Sequence, residues 1–379
     1  MLLGEKNNWC QMGKILISGY YGFNNIGDES ILQALVHNLR EKIPGIEITV
    51  LSQQPESTAE KHGVISVDRK SFLGVVGAIK RCDLLISGGG SLLQDVTSKK
   101  SILYYLMIMW ITKFLRKDFF IYSQGIGPIT STWNRRLTAA TLKKASGIVV
   151  RDQASKELLI EIGIPGQDIV ITADPVLGIE PVSLELGQEI LVKEGFIRDT
   201  KKPLVGFAIK ENRLDSQFVE ELEESIKQLV DKEKAQVVLI PFHYKEDLAV
   251  MEELQGRLGS KVLTVKHKYL TNEMMSIIGN MDLLVGVRLH SLIHGAIMGI
   301  KIIGISYDPK INAFLNSIGL KALSTTIDFR SRFFLEEYRR VWAENGEECG
   351  KQVEEKVQAM VNSLATNEEM IKRILDKKL

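Results

Sequence analysis

The sequence predicts an α/β protein made of two doubly wound domains. Short apolar runs alternate with segments of helical spacing along most of the chain, the pattern of parallel strands covered by helices. The series pauses once, across residues 173–202, where Pro175, Pro181, Pro203 and several glycines interrupt it, so the domain boundary belongs there. At 379 residues the chain is long enough to bury two separate cores.

In the first half the runs at 14–18, 46–51, 84–87, 119–123, 147–150 and 169–172 predict strands, with helices between them such as 31–42 and 133–145. The second series predicts strands at 204–209, 235–241, 261–265, 283–287 and 302–305, and helices at 217–232, 246–258, 271–280 and 291–298. Residues 1–13 form an extension, 14–180 and 181–325 form two Rossmann-like domains facing a cleft, and 326–379 form charged, amphipathic helices placed to pack back on the first domain. This element order is that of the GT-B architecture, an analogy of fold that does not set function.

Composition narrows the field. The chain is 45% hydrophobic and 25% charged with a formal net charge of +1, so nothing global marks a nucleic-acid binder and any anion site is local. Cys10, Cys82 and Cys349 lie far apart, in no metal-spaced cluster, which suits a reducing cytoplasm. No charged-then-apolar leader pattern opens the chain. The most apolar segment, 102–112, is too short to span a bilayer and predicts a buried helix, with a membrane-touching surface as the sharper alternative.

Residues 285–310 carry the strongest chemical signal. One apolar run delivers Arg288 and His290 at its carboxyl end, a helical stretch follows, and a second run delivers Tyr307, Asp308 and Lys310. Open parallel sheets bind ligands at that edge. Two cations and a histidine there suit a compact anion and proton transfer, since imidazole exchanges protons near neutral pH. His290 and His294 are four apart, but a third ligand and the intervening glutamate of a zinc motif are missing, so no metal is expected. His294 is expected to support rather than react.

Other strand ends point the same way, each with a plainer alternative. The loop Gly19-Tyr20-Tyr21-Gly22-Phe23-Asn24-Asn25-Ile26-Gly27-Asp28-Glu29 opens the first helix and suits a ligand or, for Asp28 and Glu29, a helix cap. Ser87-Gly88-Gly89-Gly90-Ser91, followed by Gln94 and Asp95, allows backbone N–H groups to converge on a ligand, or makes a tight turn. Ser123-Gln124-Gly125-Ile126-Gly127-Pro128 lies at another strand end, and Arg151-Asp152 offers either an anion-binding arginine or a local ion pair. Asp174 fits a turn residue. All three loops are expected along one edge of the first sheet.

With these segments, together with GVRLHS at 286–291 and SYDPK at 306–310, the chain resembles the polysaccharide pyruvyl transferases over residues 14–323, and is especially similar to the CsaB-type cell-wall enzymes of Gram-positive bacteria that prepare a polysaccharide for S-layer attachment. The resemblance implies transfer of the enolpyruvyl unit of phosphoenolpyruvate to a sugar, forming a cyclic pyruvate ketal and releasing phosphate. The implied acceptor is an N-acetylmannosamine-containing disaccharide on a polyprenyl diphosphate, with phosphoenolpyruvate as co-substrate and no cofactor. On this reading His290 and Arg288 are catalytic. Arg151, Arg288, Lys310 and Tyr307 hold the donor, and Asn24, Asn25, Gly27, Asp28, Gly89, Gly90, Asp95 and Gln124 hold the acceptor. Phosphoenolpyruvate implies a cytoplasmic enzyme, and segment 102–115, bounded by Lys99, Lys100, Lys113, Arg116 and Lys117, is suited to docking on the inner membrane face. The rivals are a nucleotide-sugar glycosyltransferase on the same fold and a non-catalytic anion- or glycan-binding protein.

Overall fold

The computed structural model describes residues 13–96, 100–210, 216–343 and 346–377. The expected extension up to residue 12, with Cys10, Lys99 and the side chain of Cys349, lies outside the described residues.

The chain divides into two compact units. The first holds β1 (Lys14–Ser18), most of α1 (Ile26–Lys42), β2 (Glu47–Ser52), α2 (Pro55–His62), β3 (Ile65–Asp68), α3 (Phe72–Arg81), β4 (Leu84–Ser87), β5 (Gly90–Leu93), α4 (Ser101–Phe114), β6 (Asp118–Ile126), α5 (Thr132–Leu142), β7 (Gly147–Val150), α6 (Gln153–Glu161) and β8 (Ile169–Ile171). Its strands run in the order β3-β2-β1-β4-β6-β7-β8, with β5 paired to β6. Every pairing is parallel. Side chains alternate across it, as a two-residue period requires. Leu16 faces a core with Ile102, Leu106 and Met109 of α4, whereas Ile15 and Ile17 face Leu32, Leu35 and Leu39 of α1.

The second unit holds α7 (Glu185–Lys193), β9 (Leu204–Ala208), α8 (Ser216–Asp231), β10 (Gln236–Leu239), α9 (Tyr244–Leu258), β11 (Val262–Thr264), α10 (Thr271–Gly279), β12 (Leu283–Gly286), α11 (Leu289–Ile297), β13 (Lys301–Ser306), α12 (Pro309–Ser317), β14 (Ser324–Thr325), α13 (Ser331–Ala343) and most of α14 (Gly346–Asp376). Its strand order is β11-β10-β9-β12-β13-β14, again parallel. Val205 and Phe207 pack with α8, α9 and α13, and Leu204 and Ala208 pack with α7 and α10. Both units are therefore doubly wound and Rossmann-like, the fold class expected.

The boundaries differ from the expected ones. The first unit ends at Pro175 rather than at residue 180, and two pieces are exchanged along the chain. Asn24–Ser30 groups with the second unit, because Ile26 N donates to Phe242 O (3.0 Å) and Asn25 bridges His243. Leu364–Leu379 groups with the first, where Ile371 and Leu375 join the α1 core and Asn367 Nδ2 donates to Ser123 Oγ at 2.8 Å. The Tyr122 hydroxyl donates to the buried Glu368 carboxylate, whose pKa burial raises. Helix α13, within the expected 326–379 segment, packs Phe334 and Tyr338 into the second unit instead.

Strand β3 was not expected. It is an edge strand whose sequence, Ile-Ser-Val-Asp, has no continuous apolar run, because it needs burial on only part of its surface.

Candidate active site

In the second unit the chain reverses its winding between β9 and β12, and their carboxyl ends flank the switch point where α/β sheets bind ligands. Helices α9, α11 and α12 begin along this edge, after β10, β12 and β13. Their first turns present N–H groups and positive dipole ends.

Arg288 is the N-cap residue of α11. Its Nε donates to Asp247 Oδ2 at 3.1 Å, and its Nη2 donates to Asp247 Oδ1. Asp247 is fully buried, and its Oδ2 also accepts from the backbone of Phe242 (3.1 Å) and His243 (2.8 Å). The guanidinium is thus aimed by a carboxylate that the β10–α9 turn itself holds, leaving the Nη1 side of the fork outside that pair. His290, two residues on, lies against Gly27: a Cβ there would fall 2.2 Å from His290 Nδ1. Only glycine lets the start of α1 approach the imidazole this closely.

His294, one turn further along α11, is fully buried, with Nε2 3.1 Å from Ser30 Oγ and its ring 5.4 Å from that of Phe242. Ser30 Oγ donates to Ile26 O at 2.7 Å, so its oxygen accepts from His294 Nε2–H. Burial, helped by the neighbouring His290, lowers the His294 pKa to about 3, so the ring is neutral at physiological pH.

At the end of β13, Tyr307 carries two ammonium groups over its ring, Lys210 Nζ at 4.3 Å and Lys310 Nζ at 6.0 Å from the centroid. Lys310 Nζ is also 3.3 Å from Asp308 Oδ2. Lys210, directly after β9, is held by a ring rather than a carboxylate among the described residues. The edge therefore gathers Lys210, Arg288, His290, Tyr307 and Lys310. Asn25 and His243 stand beside it through their backbone bridge. Asn24 sits at φ 60°, tolerable for asparagine, and Asn25 Oδ1 accepts from Gly27 N at 3.1 Å, opening α1. Asp28 follows in the first turn of that helix.

The first unit corrects several expectations. The Asn24–Asp28 residues expected on its edge belong to the second unit. Arg151, expected to offer a guanidinium to the donor, is buried and occupied: its Nη1 donates to Asp174 at 2.8 Å and its Nη2 to Ser91 Oγ at 3.1 Å, with Asp152 3.5 Å from Nε. The glycines make room for side chains. A Cβ on Gly88 would fall 2.2 Å from Tyr21 Oη, and one on Gly89 would fall 2.9 Å from Ile31. Gly90 opens β5 at φ 85°. Gln124 is buried and donates to Gly88 O at 3.0 Å, tying β6 to this turn. Asp95 is also spent internally. It accepts from Thr130 N (2.7 Å), Thr130 Oγ1 (3.0 Å), Ser131 N (3.0 Å) and Asn134 Nδ2 (2.9 Å). Burial alone would raise its pKa, but these hydrogen bonds outweigh it and bring the value down to about 2.

Sequence reading missed Lys210, His243, Asp247 and Ser30. The rule that found Arg288, a polar residue directly after an apolar run, also applies to Lys210 and His243, which follow the runs ending at Ile209 and Phe242. Asp247 and Ser30 gave no such signal, because one resembles an ordinary first-turn acid and the other an ordinary helix serine. Among the described residues no three His, Cys, Asp or Glu side chains gather as a metal-binding group.

Fold and site together define a protein of two Rossmann-like domains, the second with a histidine-bearing strand edge on which Lys210, Arg288 and Lys310 stand beside the carboxylates of Asp247, Glu246 and Asp308. Residues 25–309 match the family model of the polysaccharide pyruvyl transferases, and the chain belongs to that family. It is similar to the amylovoran biosynthesis protein AmsJ of Erwinia amylovora, at 18% identity over 83% of this chain and 88% of that protein. Among solved structures it resembles Anabaena HepE in complex with UDP and glucose (TM-score 0.64, 13% identity, 96% of this chain and 100% of that one). It also resembles the UDP-GlcNAc 2-epimerase of Neisseria meningitidis bound to UDP-GlcNAc (TM-score 0.62, 12% identity, 96% and 100%). At these identities the likeness shows the fold, which is GT-B-like.

Proposed function

We propose that this pyruvyl transferase takes phosphoenolpyruvate as donor and forms a cyclic pyruvate ketal on a sugar of a lipid-linked cell-wall polysaccharide precursor, as in the CsaB-type enzymes. The observation that carries the reading is the convergence of Arg288, His290, Lys210 and Lys310 on the carboxyl edge of β9, β12 and β13. Phosphoenolpyruvate places a phosphate and a carboxylate on three carbons, and this edge offers the Nη1 side of one guanidinium, two ammonium groups and helix N-termini. The Nη1 side of Arg288 suits either anionic group, whereas Lys210 and Lys310 act as point charges toward phosphate.

The chemistry needs a proton delivered to C3 of the enol, which leaves an oxocarbenium-like centre at C2. One sugar hydroxyl attacks C2 and loses its proton. The C2–O bond to phosphate breaks, phosphate departs carrying one proton, and the second hydroxyl closes the ketal. Two hydroxyl protons thus become one methyl proton and one phosphate proton. His290, at the first turn of α11, is the general acid/base. Asn24, Asn25 and Asp28 hold sugar hydroxyls beside it, and no metal is required because the cations balance the developing phosphate charge. Phosphoenolpyruvate and the lipid carrier place the enzyme in the cytoplasm at the inner membrane face. Among the described residues no helix is long and apolar enough to cross a membrane.

The test is phosphate release from phosphoenolpyruvate in the presence of a lipid-linked or nitrophenyl disaccharide containing N-acetylmannosamine, with the ketal product weighed by mass spectrometry. His290→Ala is expected to lower turnover about 100- to 10,000-fold. Turnover near wild type would remove the proton-transfer role. Since the structural neighbours carry UDP ligands, thermal stabilisation by UDP and none by phosphoenolpyruvate would move the assignment to sugar transfer.

A further inference from the structure

A groove of about 740 Å³ opens on the first unit, and none of its lining residues is among those assigned to chemistry. Its walls are apolar: Phe72 and Val75 of α3 face Met107, Ile108 and Ile111 of α4. Its mouth lies where β2 and β3 end, and is lined by Gln53, Arg69 and Lys70. The groove therefore sits at the carboxyl edge of the sheet, where such sheets take ligands.

The charge at the mouth is built in. The Arg69 guanidinium lies 4.4 Å from the ring centroid of Tyr104 and 5.1 Å from that of Phe23, and its Nη1 donates to Gly19 O at 3.2 Å. Tyr104 in turn donates its hydroxyl to Arg69 O at 3.1 Å. Among the described residues Arg69 is held by rings and a carbonyl, with no carboxylate in ion-pair contact. Lys70 beside it is exposed. The apolar walls are exposed as well: Phe72 is 63% and Met107 45% accessible, and Leu73 (81%) and Phe114 (86%) stand on the same two helices. Soluble proteins seldom leave so many large apolar side chains together without a partner for them.

We infer that this groove seats the first isoprene units of the acceptor's polyprenyl carrier, with Arg69 and Lys70 at its diphosphate. An apolar trough with a cationic mouth complements a single apolar chain that ends in an anionic head. The inference rests on the reading of a lipid-linked acceptor and specifies which residues recognise the carrier. The docking region expected around 102–115 is thereby narrowed to the α3-facing side of α4.

Calorimetry on the full chain, with geranylgeranyl diphosphate, inorganic diphosphate and phosphatidylglycerol vesicles as probes, tests it. Wild-type protein is expected to bind the prenyl probe at least about tenfold tighter than diphosphate, the gain from burying a few methylene groups. The double variant Phe72→Glu/Met107→Glu is expected to lose that about tenfold gain. Both side chains are exposed, and an unchanged thermal midpoint checks the fold. Met107→Ser alone serves if the double variant unfolds. Prenyl binding no tighter than diphosphate, full affinity in the folded variant, or binding of vesicles without the prenyl probe would overturn the inference. Binding is read without turnover, so its failure leaves pyruvyl transfer to a lipid-free disaccharide standing. Absent pyruvyl transfer, conversely, leaves the binding result intact.

Discussion

Gly27 shows how narrowly single residues are constrained near His290. A methyl group there would fall 2.2 Å from His290 Nδ1, far inside van der Waals contact, so the ring must turn or the start of α1 must lift. Gly27→Ala is therefore expected to lower phosphate release about 100-fold, the scale of a misplaced catalytic group. Gly256→Ala, on α9 with nothing within 4 Å of the new methyl, serves as control and is expected to leave turnover unchanged and to raise stability by about 0.5 kcal/mol. His294 carries a different prediction. Its pKa falls from 6.5 in the unfolded chain to about 3 in the fold, so below pH 6.5 the unfolded chain binds a proton that the native ring refuses. Stability is then lost as pH falls, by about 1.4 kcal/mol per pH unit from 6.5 toward 3, and is fully present above 6.5. Urea unfolding at pH 7 and pH 5 should show this slope in the wild type and a shallower one in His294→Gln. Equal slopes would mean that the ring is protonated in the native state.

At the scale of elements, residues expected to meet substrate turn out to hold elements together. Asp95 ties the end of β5 to the segment leading into α5 through two backbone and two side-chain donors. Asp95→Ala is expected to cost about 3 kcal/mol, since buried donors to a charged acceptor are left unsatisfied, and the urea midpoint measures it. A loss below about 0.5 kcal/mol, within the range of ordinary surface changes, would return Asp95 to the candidates for acceptor binding. The β4–β5 turn follows the same logic, since Tyr21 fills the space beside Gly88, and Ile31 and Pro175 fill that beside Gly89. A glycine run after a strand announces a close approach, but in sequence a ligand and a tyrosine ring look alike. The candidate site in the second unit was more legible because Arg288, His290, Tyr307 and Lys310 follow continuous apolar runs that allow only one edge for their side chains.

At the scale of the whole molecule, the alternation of apolar runs and helical spacing was enough to define two doubly wound domains, because each central strand is buried on both faces and so must be apolar throughout. The same reasoning overlooks β3, whose edge position relaxes that demand, and β5, which begins in glycine. It also placed Arg288, His290, Tyr307 and Lys310 at the carboxyl edge of the second sheet, where the structure has them. The sequence by itself therefore determined the fold class, the family resemblance and the Arg288–His290–Lys310 edge, all of which depend on local pattern. Only the tertiary structure decided that Asn24–Ser30 stands with His290, that Leu364–Leu379 completes the first core, and that Arg151, Asp95 and Gln124 are occupied by internal partners. Those outcomes depend on pairings between residues far apart in the chain, such as Arg151 with Asp174 or Asn367 with Ser123, and no local periodicity encodes them. Arg288 joins both levels: its strand-end position is plain in the sequence, whereas the buried Asp247 that aims it becomes visible only in the folded chain.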